Sequence, residues 1–388
     1  MNESDKIRKK TVPRLIAVLL AVLFGFGLFV FNRYVVFKPD SKKNENIKFV
    51  VPGKKDKKDE EEEDVSYKYS ENSYNFLVMG HDRVADLTDV ILIINYNIEN
   101  QSVTIMQFPR DTYFRIGDHY YHKINGLFTY YVQESEAEGV ENPDLEGLKR
   151  TTAYFEENLA IKIHYSAVMD LDGFSGIVEE IGGVDMTVPM DMVYIDTAQI
   201  PPLYINLHAG YQHLGGNEAE QFVRYRYGYI TGDYGRQDAQ KLFISAFINK
   251  LKVSVTDTST IAALAKNLVT YVDTDITDAD IVYFGKSFLG IGKGDSVQLE
   301  NIKMFSMPGC DTMWETASMY CMNREYMADL INEYYNIYDF DIHESFDANY
   351  VFVTPYDSEI SEIYYAPKEY AIFTEYNAGG LQEDGLND

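Results

Sequence analysis

Three clusters of charged side chains carry the residue types needed to handle a phosphorylated substrate. The first is Gly80-His81-Asp82-Arg83 followed by Asp89, two carboxylates flanking a short loop between apolar, strand-forming runs. Carboxylates at neighbouring strand ends suit magnesium, a hard cation that keeps several waters and takes one or two protein carboxylates beside phosphate oxygens. Their plainer reading is as turn and strand-start residues, where aspartate is common. The second cluster is Phe108-Pro109-Arg110-Asp111-Thr112 with Lys123-Ile124-Asn125 beyond it. Arg110 could fork onto a phosphate or pair with Asp111 at the surface. The third runs Val223-Arg224-Tyr225-Arg226, then Gly232-Asp233-Tyr234-Gly235-Arg236, with Gln240 one helical turn further on. Arg224 and Arg226 share a face if this stretch is extended, and Arg236 enters at a helix start, where backbone amides favour an anion. Arginines so close together repel unless an anion or acid partners relieve them, so this cluster reads as an anionic-ligand site.

Elements able to hold these clusters are visible in the apolar patterning. Residues 75–79, 89–95 and 102–108 read as strands, the last two joined by a hairpin turn at 97–101. Residues 144–159 carry apolar side chains at helical spacing after a Pro-Asp start signal. A strand at 164–169, a helix over 174–181, a strand at 184–188 and helices at 216–223 and 234–251 follow. Strands alternating with helices predict an α/β layered domain, and the hairpin makes its sheet mixed. Helices at 260–270, 278–289 and 322–335, a strand within 297–307 and weak strands near 350–354 and 370–374 complete the reading. The end of the chain from Asn377 is expected to be unstructured.

Along the 388 residues, 15–37 form an apolar segment interrupted by Asn32-Arg33 and preceded by Lys6, Arg8, Lys9, Lys10 and Arg14. The predicted topology is a basic cytoplasmic tail over 1–14, one transmembrane signal anchor over 15–37, and everything after it outside the cell. A cleaved signal peptide is the competing reading, but the run is long and no small-x-small cleavage site follows. Residues 38–72 are a charged linker, 73–337 the main domain and 338–388 an acidic, Tyr-rich extension. A net charge of −27 argues against nucleic-acid binding while leaving room for one local basic pocket. Cys310 and Cys321 are too few for a disulfide scaffold or a four-cysteine zinc site. They either pair outside the cell or remain buried thiols.

Taken in order, G-x-D, T-D at a strand start, P-R-D-T, K-I-N, V-R-Y-R and G-D-Y-G-R with a following Gln resemble the LytR-CpsA-Psr family of Gram-positive cell-envelope proteins. The resemblance spans about 75–251. It implies an α/β/α sandwich with a mixed central sheet and a hydrophobic groove for a polyprenyl tail. The implied activity is a phosphotransferase, with a pyrophosphatase side activity. It moves a glycopolymer such as teichoic acid or capsular polysaccharide from a polyprenyl pyrophosphate carrier to peptidoglycan. Carried over, the motifs place Asp82 and Asp89 at magnesium and Arg110, Arg224, Arg226, Arg236 and Gln240 around the pyrophosphate, with Lys123 a further phosphate contact. Asp233, or alternatively Asp111, would take the proton of an acceptor sugar hydroxyl or would orient the arginines. Two departures stand out: Arg83 directly follows Asp82, and Gln237-Asp238-Ala239-Gln240-Lys241 lacks a second Arg usual after Arg236. The missing charge bears on substrate choice or rate. Helix faces at 174–181 and 242–251 suit a lipid groove or plain core. The alternative function is a non-catalytic envelope scaffold or regulator that binds polyprenyl phosphates.

Overall fold

Short apolar runs buried on both faces set up the first three strands, β1 (Ser73–Asp82), β2 (Leu87–Asn97) and β3 (Ser102–Gln107), which form an antiparallel meander. The computed structural model describes residues 38–39, 70–116, 120–292, 294–314, 317–342 and 375–377. The expected tail, membrane anchor and nearly all of the linker lie outside them, as do the strands expected at 350–354 and 370–374. Among the described residues no helix is long and apolar enough to cross a membrane.

After β3 come β4 (Tyr113–Ile116), β5 (Tyr120–Lys123), α1 (Leu127–Ala137), α2 (Pro143–Leu159), β6 (Tyr165–Asp170), α3 (Leu171–Glu180) and β7 (Val184–Val188). Next are β8 (Met192–Asp196), β9 (Leu203–Leu207), β10 (Gly210–Leu214), α4 (Gly216–Arg224), α5 (Asp233–Ser254), α6 (Thr258–Leu268), β11 (Asp273–Thr274) and α7 (Asp278–Leu289). The chain continues through β12 (Ile302–Ser306), β13 (Gly309–Trp314), β14 (Ala317–Met322), α8 (Arg324–Leu330) and β15 (Glu375–Asn377). Among the described residues the central sheet has seven strands in the order β11-β6-β1-β2-β3-β12-β15. Parallel pairing of β6 with β1 and of β12 with β3 makes it mixed.

Side chains of period two send Leu77, Met79, Ile91 and Ile93 to one face and Tyr74, Leu92, Val103 and Ile105 to the other. The first face packs on α1, α2 and α8 through residues such as Phe128, Phe155 and Met327. The second packs on α3, α4, α5 and α7 through Val178, Phe222, Phe243 and Phe284. Helices therefore cover both faces, as the α/β/α expectation requires. Local signals explain several boundaries. Asn142 accepts from Leu145 N ahead of Pro143, and Asn323 accepts from Tyr326 N. The last expected helix thus starts at Arg324, and its end widens into a π turn over Ile331–Tyr335. Helix α1 and the hairpins β4–β5, β8–β9 and β13–β14 were not expected. Asn377 belongs to an edge strand paired with β12 rather than to an unstructured end.

Candidate functional site

Because β2 runs against β1 and β3, its start lies beside their ends, and all three strands bring their loops to one edge of the sheet. Gly80 pairs with Val90 but His81 pairs with Thr88, so Asp89 is the extra residue of a β-bulge. The bulge turns its carboxylate out of the alternating pattern. The loop after β3 supplies Arg110, the last residue of α4 is Arg224, and α5 begins with Asp233 and carries Arg236 and Gln240. A Cβ on Gly235 would stand 2.5 Å from Tyr229 Cβ, so glycine lets the first turn of α5 lie against the Arg226 loop.

Carboxylates hold the arginines in place. Arg110 Nη1 donates to Asp89 Oδ1 at 3.0 Å, and Arg236 Nη1 lies 3.5 Å from Asp89 Oδ2. Arg236 Nη2 is also 3.0 Å from Asp233 Oδ1, while Arg110 Nε is 3.8 Å from both Asp233 and Asp111. Arg224 donates to Glu220 at 2.9 Å and to Gln199 at 3.2 Å, and its Nη2 is 3.7 Å from Asp82 Oδ2. Burial pulls the Arg110 guanidinium pKa down, but Asp89, Asp233 and Asp111 together lift it above the ordinary value. Arg236 shifts the other way. Its burial outweighs Asp233 and Asp89, and repulsion from Arg110 and Arg226 adds to the lowering. Nε of both Arg110 and Arg236 is buried without a hydrogen-bond acceptor among the described residues. Arg226, exposed at the rim, has no carboxylate within ion-pair distance among the described residues.

These groups rim a cavity of about 720 Å³. Val78, Ile94 and Ile105 of the sheet form one wall; Phe174, Ile244 and Phe247 of α3 and α5 form the other. The helix faces whose plainer reading was core thus divide: Val178 and Leu242 pack inside, while Phe174, Ile177 and Ile244 stay half-buried along the cavity. Asp82, Asp89, Arg110, Arg224, Arg226, Arg236 and Gln240 all line it. Lys123, Asp111 and Asp233 are not among the lining residues. Lys123 Nζ instead sits 3.1 Å from Asp111, behind Arg110.

Asp82 is a turn residue whose Oδ1 accepts from Val84 N and Ala85 N, while its Oδ2 faces Arg224. Gln240 is fixed at both ends, accepting from Gln107 at 2.6 Å and donating to Val223 O at 3.2 Å. Expected repulsion among Arg224, Arg226 and Arg236 is largely relieved by acids, and of the three Arg226 alone has no acid partner among the described residues. Sequence reasoning missed Gln199, Glu220 and the Tyr194–Tyr227 stack, whose centroids are 4.0 Å apart and which ties β8 to the Arg226 loop. Glu220 was findable, standing four residues before Arg224 on a helix. Gln199 carried no such signal.

An apolar cavity with a guanidinium-rich mouth is thus built into a mixed α/β domain. The chain belongs to the LytR_cpsA_psr family, whose sequence model matches residues 42–335. It is 26% identical over 276 residues to the polyisoprenyl-teichoic acid–peptidoglycan teichoic acid transferase TagV of Bacillus subtilis, covering 69% of this chain and 64% of that protein. The match thus spans somewhat under two thirds of TagV. A Bacillus cereus transferase of the same description, TagU, is 27% identical over 310 residues, covering 78% of this chain and 89% of TagU. The crystal structure of B. subtilis TagV superposes with a TM-score of 0.53 at 22% identity, over 71% of this chain and 98% of that one, which shows a shared fold.

Proposed function

We propose that the protein is a phosphotransferase that moves an anionic glycopolymer, of teichoic acid or capsular type, from a polyprenyl pyrophosphate carrier to peptidoglycan. The observation that carries this reading is the apolar cavity opening between Arg110, Arg224, Arg226 and Arg236. A prenyl tail fits the walls and a pyrophosphate fits the mouth. The names of TagV and TagU support the same reaction class.

Asp82 and Asp89 fit a magnesium ion: both are acceptor-only carboxylates lining the cavity, with side chains 16% and 30% exposed. When bound, such an ion neutralises pyrophosphate charge. The remaining work falls to the chain's own residues. Arg226 meets the entering anion first, because no acid holds it. Arg110 and Arg236 then turn their unused Nε–H groups, and part of their Asp89 contacts, toward phosphate oxygens. Guanidinium groups already in place stabilise charge on the leaving polyprenyl phosphate without reorganising solvent. An acceptor hydroxyl oxygen attacks the glycopolymer-linked phosphorus as the pyrophosphate bridge breaks. Asp111 and Asp233 orient Lys123, Arg110 and Arg236 in the free protein, and either becomes a proton acceptor only when phosphate draws its cation away.

The anchor over 15–37 would hold the catalytic domain outside the membrane, at the face where lipid carrier and peptidoglycan meet. Incubating the purified protein with a glycosylated polyprenyl pyrophosphate and a peptidoglycan acceptor, with and without magnesium, tests the proposal. Release of polyprenyl phosphate with transfer of the sugar supports it. Tight binding with no turnover in either condition would favour the scaffold reading instead.

A further inference from the structure

The chain's two cysteines, which the reaction does not use, face each other across the β13–β14 hairpin as register partners. Asn323 N donates to Pro308 O at 2.8 Å. Alternation along the ladder then makes Cys310 and Cys321 a hydrogen-bonded pair as well, for which Cα atoms stand about 5.5 Å apart with side chains on one face. A disulfide needs a Cα separation of roughly 4.4–6.8 Å, which such a pair meets, and a Cβ separation of about 3.5–4.5 Å, for which the two strands draw together by up to about 1 Å. Both residues are free thiols, Cys321 buried and Cys310 half-buried.

Their neighbours give the pair a role. Asp311, next to Cys310, accepts from Tyr234 Oη at 2.8 Å, and Tyr234 directly follows Asp233 at the start of α5. Tyr320, next to Cys321, donates its backbone N to Asp111 O at 2.9 Å and bridges Thr112. One strand of the hairpin therefore grips the helix start bearing Arg236, and the other grips the loop bearing Arg110. We propose that Cys310 and Cys321 are oxidised to an intrachain disulfide, a staple that fixes these two anchor points relative to each other.

The oxidant is a disulfide donor acting by exchange. The Cys310 sulfur, being more accessible, attacks one donor sulfur and releases the first donor thiol. The Cys321 sulfur then attacks Cys310 in the mixed disulfide and releases the second. Two protein thiols are oxidised and one donor disulfide is reduced to two thiols. Burial pushes the Cys321 thiol up to about 12, with Cys310 and Asp311 adding to it, and burial followed by Asp311 raises Cys310. Closure is slow as a result, because little thiolate is present. The same environment leaves the reduced form without a stabilised thiolate, which favours the oxidised form against the strain of drawing the strands together.

The test equilibrates the purified full-length protein with oxidised glutathione at mildly alkaline pH, then blocks remaining thiols in denaturant and weighs the peptides. The expected product has both cysteines joined, no glutathione retained, and a melting temperature on the order of 5 °C above the reduced protein. A Cys310→Ser/Cys321→Ser protein should show no such shift with redox state. Where transfer is measurable, reduction should lower kcat severalfold with little change in KM, because the arginines lose alignment rather than contact. Persistent free thiols or single glutathione adducts on a protein that melts cooperatively would overturn the proposal. So would a disulfide whose formation leaves both melting temperature and kcat unchanged. Thiol counting and melting need no substrate, so their outcome is independent of the function proposed above.

Discussion

Arg226 and Arg236 line the same mouth yet should respond oppositely to truncation. Arg236, its side chain 3% exposed, is held by Asp233 at 3.0 Å and Asp89 at 3.5 Å. Removing one member of a buried pair costs about 3–5 kcal/mol. Here the acids keep about a third of their exposure and Asp89 keeps Arg110, so Arg236→Ala should cost nearer about 2 kcal/mol, or roughly 4–8 °C in melting temperature. Arg226 has no acid partner among the described residues and repels Arg236. Arg226→Ala should therefore leave the empty protein within about 0.5 kcal/mol of wild type, tending toward more stable. Its loss falls on the ligand. A tenfold weaker hold on pyrophosphate removes about 1.4 kcal/mol of ligand stabilisation, or roughly 3–5 °C of the ligand-induced shift, and a comparable loss in the transition state slows transfer at least about tenfold. Arg226→Lys should recover only part, since a point charge cannot fork onto two oxygens. The assay pairs scanning calorimetry, with and without a polyprenyl pyrophosphate, with turnover for each variant. Full ligand shift and full turnover in Arg226→Ala would place the anion elsewhere, and a thermally neutral Arg236→Ala would refute the ion-pair reasoning.

Asp82→Asn keeps the turn made to Val84 and Ala85 but loses the charge, so magnesium-dependent transfer should fall at least about tenfold with an unchanged melting temperature; undiminished magnesium dependence would remove Asp82 from that role. Ile244→Trp fills the cavity without crowding packed core, so KM for a long-chain carrier should rise at least about tenfold while a short-chain analogue is little affected. Burial, helped by Glu134, holds Tyr131 up at about 12 against an unfolded value near 10, so its contribution is complete below about pH 10 and is lost as pH rises toward 12. Melting temperature and tyrosinate absorbance should change together across that window, and an unchanged melting temperature would show the phenol to be freely solvated. Protease added to intact cells should degrade the chain beyond residue 71 and spare residues 1–14; survival of the main domain would reverse the topology.

Short-range chemistry was legible in the sequence and long-range chemistry was not. Strands β1 to β3 follow from short apolar runs and β7 from its place after Gly182-Gly183, and helices α2, α3 and α5 from spacing and start signals such as Pro143-Asp144, because these signals act within a few residues. The charged motifs were equally visible as types. Their pairing was not: Asp89 meets Arg110 from 21 residues away and Arg236 from 147 residues away, which depends on the sheet edge and on the bulge at Asp89. Hairpin β8–β9 escaped notice because Val193, Ile195 and Tyr204 are exposed apolar residues on its outer face, blurring the usual inside–outside contrast. The cavity was implied by the family resemblance, but residue spacing alone left groove and core open, for a related reason. A helix face that lines a void and one that packs a core have the same spacing of Phe, Ile and Leu.

Strand β15 pairs with β12 through residues about 70 positions downstream, Glu375 to Asn377 against Phe305 to Lys303. Time enters here, since a growing chain emerges at about 5–20 residues per second. For roughly 4–14 seconds after Ser306 is made, the outer side of β12 offers unpaired N–H and C=O groups to any neighbouring chain. The outer side of β12 is thus the last pairing of the central sheet to close among the described residues. The carboxylates of Asp357, Glu359 and Glu362, which precede the closing strand, add like charge to every copy only in the last part of that interval.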